Sequence, residues 1–148
     1  MDNQDPNQEI KNKTQNADKK LILVAEDDLF YAKIYETKLT SEGFDVEVVP
    51  NGEEALKHID ERKPDLLLLD LIMPIKDGFQ VLESIKNNDK YKDIKVIVLS
   101  NLGQEEDIKK AKSYGVNDYL VKADISIQDL IKKVYDTLNS RPPTAPAS

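Results

Sequence analysis

Short apolar runs and amphipathic stretches alternate five times along the middle of this chain. Most of the runs are apolar along their whole length, and each is followed by a stretch with apolar residues at helical spacing. Such strands are typical of a parallel sheet that helices cover on both faces. The predicted strands are LILVA (21–25), FDVEVV (44–49), DLLLL (65–69), VIVL (96–99) and DYLV (118–121).

The second run differs from the others because it alternates apolar and charged residues. Phe44, Val46 and Val48 are separated by Asp45 and Glu47. This alternation indicates a strand with one solvated side, which suits the edge of a sheet. We therefore expect an α/β, flavodoxin-like (βα)5 doubly wound parallel sheet. The known strand order 2-1-3-4-5 of such folds puts strand two at an edge, and we adopt it.

Capping signals mark several helix boundaries. Asp28 is expected to cap the first helix, in preference to contacting a metal directly. Asn51 before GEEALKHIDE, and Ser126 with Asp129, predict the starts of the second and last helices. Gly115 predicts the end of the fourth helix.

The two ends of the chain differ from its middle in composition. Residues 1–20 are polar, and residues 139–148 form a Pro-rich tail. Neither can bury enough apolar area to offset chain entropy, so both are expected to be disordered. This leaves one folded unit, residues 21–138, with no room for a second globular domain.

Composition excludes several classes of site. The 148 residues include no cysteine and one histidine, so a disulfide framework, a thiolate metal site and a multi-histidine site are excluded. The net charge of -7 argues against nucleic-acid binding. No apolar run approaches membrane-spanning length, and the polar N-terminus lacks the apolar core of a secretory signal. We therefore expect no membrane association and a cytoplasmic location.

Chemically active side chains follow four of the five predicted strands. Glu26 and Asp27 follow the first strand, Asp70 the third, Ser100 the fourth and Lys122 the fifth. The carboxyl ends of parallel strands meet at one rim, and in the order 2-1-3-4-5 these four strands are adjacent. The side chains should therefore gather near the crevice between strands one and three, where ligands bind in open α/β sheets.

A cluster of carboxylates without Cys or His selects a hard cation, and Mg2+ fits best. The lysine and the hydroxyl would suit the oxygens of a phosphoryl group attached to one carboxylate. A carboxylate nucleophile, a metal, a lysine and a hydroxyl together form an arrangement for phosphoryl transfer.

The motifs ILVAEDD, PDLLLLDLIMPIKDG, VIVLSN and YLVKA, in this order, resemble a response-regulator receiver domain of the chemotaxis-regulator type over about residues 20–138. The resemblance implies that Asp70 accepts a phosphoryl group from a sensor histidine kinase or a histidine phosphotransfer protein. It implies that Glu26, Asp27, Asp70 and the backbone carbonyl of Ile72 hold Mg2+.

The resemblance also implies a conformational switch. Ser100 would be the switch hydroxyl, Tyr119 the aromatic switch and Lys122 the lysine that contacts the phosphate. A downstream protein would then bind the face formed by helix four, strand five and helix five. Since no output domain is recognised after residue 138, the expectation is a single-domain response regulator. It would catalyse its own phosphorylation and acyl-phosphate hydrolysis and act mainly as a signalling switch.

Two positions depart from the family's pattern. Ala123 stands where the family usually has a proline preceded by a cis bond, so the bond after Lys122 is either trans or a costly cis bond. Asn101 follows Ser100 where a small residue is common, and it could narrow access to the site. Ala123 leaves a second reading open, in which the chain is a receiver-like interaction module that works without phosphorylation.

Two enzyme classes are disfavoured. Phosphatases of the haloacid-dehalogenase type carry a second aspartate two residues after the first, and here that residue is Ile72. The chain also has no glycine-rich nucleotide-binding loop. One face of the first helix can bury only part of the set Phe30, Tyr31 and Tyr35, and an ordinary amphipathic face is expected. The alternative is that an exposed tyrosine docks the phosphodonor.

Overall fold

Five parallel strands form one sheet in the order β2-β1-β3-β4-β5, which confirms the predicted fold class and strand order. The structure is a computed structural model and describes residues 19–139. The strands are β1 Leu21–Ala25, β2 Asp45–Val49, β3 Leu66–Leu69, β4 Lys95–Ser100 and β5 Asp118–Val121. The helices are α1 Leu29–Ser41, α2 Gly52–Glu61, α3 Gly78–Lys86, α4 Glu105–Ser113 and α5 Ile127–Asn139.

The tails predicted to be disordered, residues 1–20 and 139–148, lie outside the described residues apart from Lys19, Lys20 and Asn139. Within residues 19–139, no helix combines the length and the apolar character needed to cross a membrane.

The sheet separates two apolar clusters, one on each face. On one face, Leu67 and Leu69 of β3 pack with residues of α2, α3 and α4. On the other, Leu66 and Leu68 pack with residues of α1 and α5. All four leucines are at most 2% exposed. The unbroken apolar runs of the sequence therefore reflect strands that are buried on both sides.

β2 lies at the edge of the sheet, as its alternating pattern predicted. All of its residues except Val49 are only half-buried. β1 lies between β2 and β3, so the strand order reverses at the β1–β3 boundary. At such a reversal the helices leave on opposite faces, and a crevice opens at the carboxyl ends of the strands.

The predicted helix caps are confirmed. The Asp28 side chain accepts the backbone N–H of Phe30, and the Asn51 side chain accepts that of Glu54. The Ser126 hydroxyl accepts the N–H of Asp129 at 3.1 Å. α4 ends just before Gly115, whose φ of +77° is readily available only to glycine.

Candidate functional site

Three carboxylates gather at the carboxyl ends of β1 and β3. Glu26, Asp27 and Asp70 each offer one oxygen, and these oxygens all lie within 4.8 Å of one another. The register explains the placement, because Ala25 pairs with Leu69 and the acids follow directly. The N–H of Asp70 donates to the carbonyl of Ala25 at 3.0 Å, which extends the ladder into the site. The strand-end prediction for these acids is therefore confirmed in position.

The three acids differ in their access to water. Glu26 is 3% exposed and Asp70 is 6% exposed, whereas Asp27 is exposed. Each buried carboxylate has a backbone partner: Glu26 accepts the N–H of Asp28 at 3.0 Å, and Asp70 accepts that of Ile72 at 3.2 Å. The carboxylates of Glu26 and Asp70 therefore form the buried part of the cluster, and Asp27 forms the part that faces solvent.

Lys122 reaches into this cluster from the end of β5. Its ammonium forms ion pairs with Glu26 at 2.5 Å and with Asp70 at 2.9 Å. The Lys122 side chain is only 5% exposed. Lys122 thus contacts the predicted phosphoacceptor directly.

Burial shapes the charge of the cluster. The pKa of Glu26 is raised to about 7. Desolvation by burial is the largest cause, hydrogen bonds from Lys122 and from the backbone N–H of Asp28 oppose it, and the negative charge of Asp70 adds to it. Burial alone would lower the pKa of Lys122, but its hydrogen bonds to Glu26 and Asp70 raise it overall. When all three acids are ionised, three carboxylates face one ammonium, which leaves two uncompensated negative charges.

Tyr31 is a further contact of Lys122 that the sequence did not identify as a site residue. The Lys122 ammonium lies 4.6 Å from the centroid of the Tyr31 ring, a cation–π geometry. Tyr31 in turn stacks on the buried ring of Tyr35, with centroids 6.0 Å apart. The available signal was an aromatic residue in the first turn of α1, close to the acidic pair. Phe30, and not a tyrosine, is the strongly exposed aromatic residue of α1.

The backbone of Leu102 links the two predicted switch residues. Ser100 is fully buried at the end of β4, and its hydroxyl accepts the Leu102 N–H at a long 3.4 Å. The Tyr119 hydroxyl donates to the Leu102 carbonyl. The Tyr119 ring is half-buried, and burial raises the pKa of its hydroxyl to about 12. Both side chains therefore bond to the same residue of the β4–α4 loop.

The β3–α3 loop wraps tightly beneath the phosphoacceptor candidate. A Cβ on Gly78 would lie 2.4 Å from the Asp70 carbonyl oxygen, so only glycine allows α3 to begin so close. Ile75 has a φ of +69°, which is strained for a β-branched side chain. The Ile72 side chain is 55% exposed beside the site, and its carbonyl as a metal ligand remains a prediction.

The Lys122–Ala123 bond is trans, because residues 19–139 contain no cis peptide bond. The sequence had left open whether this bond is cis or trans. The N–H of Ala123 donates to Oδ1 of Asn101 at 3.1 Å. Asn101, expected to narrow access to the site, thus makes a bond between two loops that the sequence did not predict.

The donor set suits Mg2+. All three candidate side-chain ligands are carboxylates, and the cluster carries an excess of negative charge. Hard oxygen ligands of this kind bind Mg2+, which retains waters and accepts a phosphate oxygen.

Comparisons with known proteins agree with this geometry. Residues 22–135 match the family model described as the response regulator receiver domain. A protein of Cyanophora paradoxa named "Probable transcriptional regulator ycf27" is 38% identical over 104 residues, which are 70% of this chain and 42% of that protein. The chain thus spans less than half the length of that relative, and less than two thirds of several others.

Two solved structures illustrate the likeness. The receiver domain of the Francisella response regulator 1452 is 33% identical with a TM-score of 0.74, covering 80% of this chain and 96% of that one. The phosphorylated cyanobacterial phytochrome response regulator RcpA is 30% identical with a TM-score of 0.74, covering 85% and 99%. Family match, fold and acidic crevice agree, and the chain belongs to the response regulator receiver domains of two-component systems.

Proposed function

We propose that Asp70 is the phosphoacceptor of a Mg2+-dependent switch in a two-component or phosphorelay system. The observation that carries the proposal is the environment of the Asp70 carboxylate. Asp70 is 6% exposed, lies with Glu26 and Asp27 in one acidic cluster, and is 2.9 Å from the Lys122 ammonium. A shielded carboxylate beside a cation site and a lysine is what phosphoryl transfer to an aspartate requires.

The reaction itself is a simple displacement. An Asp70 oxygen attacks the phosphorus of a phosphohistidine, an O–P bond forms, and the P–N bond breaks as the imidazole leaves with the electron pair. Mg2+ held by Glu26, Asp27, Asp70 and the Ile72 carbonyl would neutralise charge on the transferred group. The Lys122 ammonium would then pair with an oxygen of the transferred phosphoryl group and stabilise the negative charge of that oxygen. Water later hydrolyses the acyl phosphate and restores Asp70.

The phosphodonor is a sensor histidine kinase or a histidine phosphotransfer protein. Its docking surface would include the outer face of α1, next to the acidic pair. Leu29 is 81% exposed, Phe30 69% and Ile34 36%. This face of α1 is therefore unusually apolar for a surface that contacts solvent. The basic residues Lys33 and Lys38 border the same groove. Contact with a cytoplasmic kinase domain would place the protein in the cytoplasm.

The switch would run through the Leu102 loop. Movement of the Ser100 hydroxyl toward the phosphoryl group would displace the Leu102 backbone, to which Tyr119 is also bonded. The change would reach the face formed by α4, β5 and α5 and alter its affinity for a protein target. Exposed lysines of α4 and α5 would contribute to the charge of this face: Lys109, Lys112, Lys132 and Lys133. Lys110 is also exposed, but its ammonium lies over the ring of Phe79 in α3.

The output is proposed to be a protein contact, as in a single-domain response regulator, because a chain with a net charge of -7 is repelled by nucleic acid. The matched relative from Cyanophora paradoxa is named as a transcriptional regulator, and its longer chain includes more than the matched region.

The alternative of a phosphate-independent module depended on Ala123. Lys122 reaches Asp70 with alanine at that position, so no observation favours the alternative.

The test uses beryllofluoride with Mg2+, a stable mimic of an aspartyl phosphate, and backbone amide NMR of the full chain. Relative to the spectrum with Mg2+ alone, we expect beryllofluoride to shift the amides of Asp70, Ser100 and Lys122, with changes that extend into α4, β5 and α5, and to cause no shifts in Asp70→Asn. Shifts confined to the neighbours of Asp70 would contradict the switch, and shifts that persist in Asp70→Asn would contradict the assigned acceptor.

A further inference from the structure

The side chain of Asn101 joins the two loops that carry Ser100 and Lys122. Asn101 directly follows Ser100, and Ala123 directly follows Lys122. Oδ1 of Asn101 accepts the backbone N–H of Ala123 at 3.1 Å, across 22 positions of the chain. None of the roles assigned above to the site residues uses this bond.

The bond between Asn101 and Ala123 lies just beyond the last paired residues of β4 and β5. β4 and β5 pair in register up to Ser100 and Val121, and the ladder ends there. The chain then turns into a single 3-10 turn, Lys122–Asp124. The amide of Asn101 supplies one more connection beyond the last backbone pair.

Holding this turn matters for the site because the ammonium of Lys122 has little freedom. It lies between two buried carboxylates and over the Tyr31 ring. A shift of about 1 Å in the backbone that carries such a group can cost a large part of its catalytic effect. The donor is a backbone N–H, which exists here only because residue 123 is not proline.

We propose that Asn101 is a positioning residue, whose bond to the Ala123 N–H clamps the turn after β5 to the loop after β4. The clamp keeps Lys122 against Glu26 and Asp70. The inference rests on the proposed function only in its consequence for the phosphorylation rate, because the position of Lys122 can be measured without phosphate.

The first experiment therefore measures the unphosphorylated protein by NMR. The variants are Asn101→Ala, Asn101→Asp, which keeps an acceptor oxygen, and Gln104→Ala. Gln104 lies exposed in the same loop, and its side chain caps no helix N–H. In Asn101→Ala we expect the Ala123 amide and the Lys122 ammonium protons to exchange with water at least threefold faster. Asn101→Asp should restore slow exchange, and Gln104→Ala should leave it unchanged.

Unchanged exchange of the Lys122 protons in Asn101→Ala would overturn the inference, whether or not the protein accepts phosphate. So would equal acceleration in Gln104→Ala, because a general loosening of the loop would then be the cause. Thermal unfolding of each variant, expected to stay close to that of the wild type, shows that the fold is intact.

The second experiment measures the initial rate of phosphorylation by acetyl phosphate with Mg2+. Asn101→Ala is expected to be three- to tenfold slower than wild type, and Ala123→Pro provides a background that lacks the N–H donor. In the Ala123→Pro background, Asn101→Ala should have no further effect. Additive losses would overturn the clamp. A wild type that takes no phosphate would contradict the proposed function instead, and the exchange measurements would still decide the inference.

Discussion

The ammonium of Lys122 lies 2.9 Å from the carboxylate of Asp70, although the two residues are 52 positions apart in the chain. The parallel sheet brings them together, since β3 and β5 flank β4 and end at the same rim. A buried lysine thus provides the cation that the acids need when no metal is bound. It is also in place to follow the phosphoryl group when Asp70 reacts.

Lys122→Met tests that role. Removing the ammonium leaves the buried carboxylates without a counter-charge, so we expect a lower melting temperature in EDTA and partial recovery with Mg2+. Phosphorylation by acetyl phosphate should be slower by about 10²-fold, which is typical of losing one charge-stabilising donor. Lys133→Met, which removes an exposed lysine paired with Asp118, is the matched control. Equal effects in the two variants would refute a special role for Lys122.

The raised pKa of Glu26 predicts how stability depends on pH. Its value of about 7 in the folded protein exceeds the ordinary 4.5, so the folded state binds the proton more tightly. The stabilisation from this proton is fully present below pH 4.5 and is lost as the pH rises through 7. In the metal-free protein, the melting temperature of wild type relative to Glu26→Gln should therefore fall between pH 5 and pH 8.

Mg2+ should act in the opposite direction, because it binds the ionised form of Glu26. Its stabilisation of the wild type should be larger at pH 8 than at pH 5.5, as measured by thermal unfolding over a Mg2+ titration. Equal Mg2+ affinity at the two pH values would contradict the account in which a Glu26 carboxylate with a raised pKa is a Mg2+ ligand.

Ile75 predicts a stabilising substitution. Its φ of +69° is strained for an isoleucine, and its side chain is 70% exposed and so contributes little packing. Asparagine tolerates this conformation, so Ile75→Asn should raise the free energy of unfolding by about 1 kcal/mol in urea denaturation.

Gly115→Ala provides the reverse test, because a Cβ there meets open space but φ is +77°. It should lower the free energy of unfolding by about 1 kcal/mol.

If Ile75→Asn destabilises the protein instead, the exposed isoleucine makes contacts that outweigh the backbone strain. A neutral Gly115→Ala would show that the end of α4 relaxes to a conformation that suits alanine.

Tyr119→Phe removes only the hydroxyl that bonds to the Leu102 carbonyl. We expect a loss of about 1 kcal/mol in the free energy of unfolding and faster amide exchange in residues 101–104. The initial phosphorylation rate should stay close to that of wild type, because the Tyr119 hydroxyl bonds to the Leu102 carbonyl and not to Asp70. An unchanged loop in amide exchange would contradict the proposed link between Tyr119 and the Ser100 loop.

Much of the fold could be predicted because its signals are local. Unbroken runs such as Leu66–Leu69 indicate buried parallel strands, and the caps at Asp28, Asn51 and Ser126 lie within three residues of the N–H groups they accept. The gathering of Glu26, Asp70 and Lys122 followed from the strand order together with the rule that ligand sites lie at the carboxyl ends.

The parts that the sequence did not predict depend on side-chain direction across long separations. That Tyr31 turns its ring toward Lys122, and that Asn101 reaches Ala123, depends on the local twist of the strands and on rotamers. The strain at Ile75 was also missed, because isoleucine gives no indication of a positive φ. The strand-end placement of Ser100 was predicted, but its shared contact with Tyr119 through Leu102 was not.

The most direct test of the central claim is the intact mass of the protein after incubation with acetyl phosphate and Mg2+, for wild type and Asp70→Asn. The account predicts the gain of one phosphate, about 80 Da, in the wild type alone, lost again as the acyl phosphate hydrolyses. No gain in the wild type, with circular dichroism showing an intact fold, would contradict phosphorylation at Asp70. An equal gain in Asp70→Asn would place the phosphate on another residue.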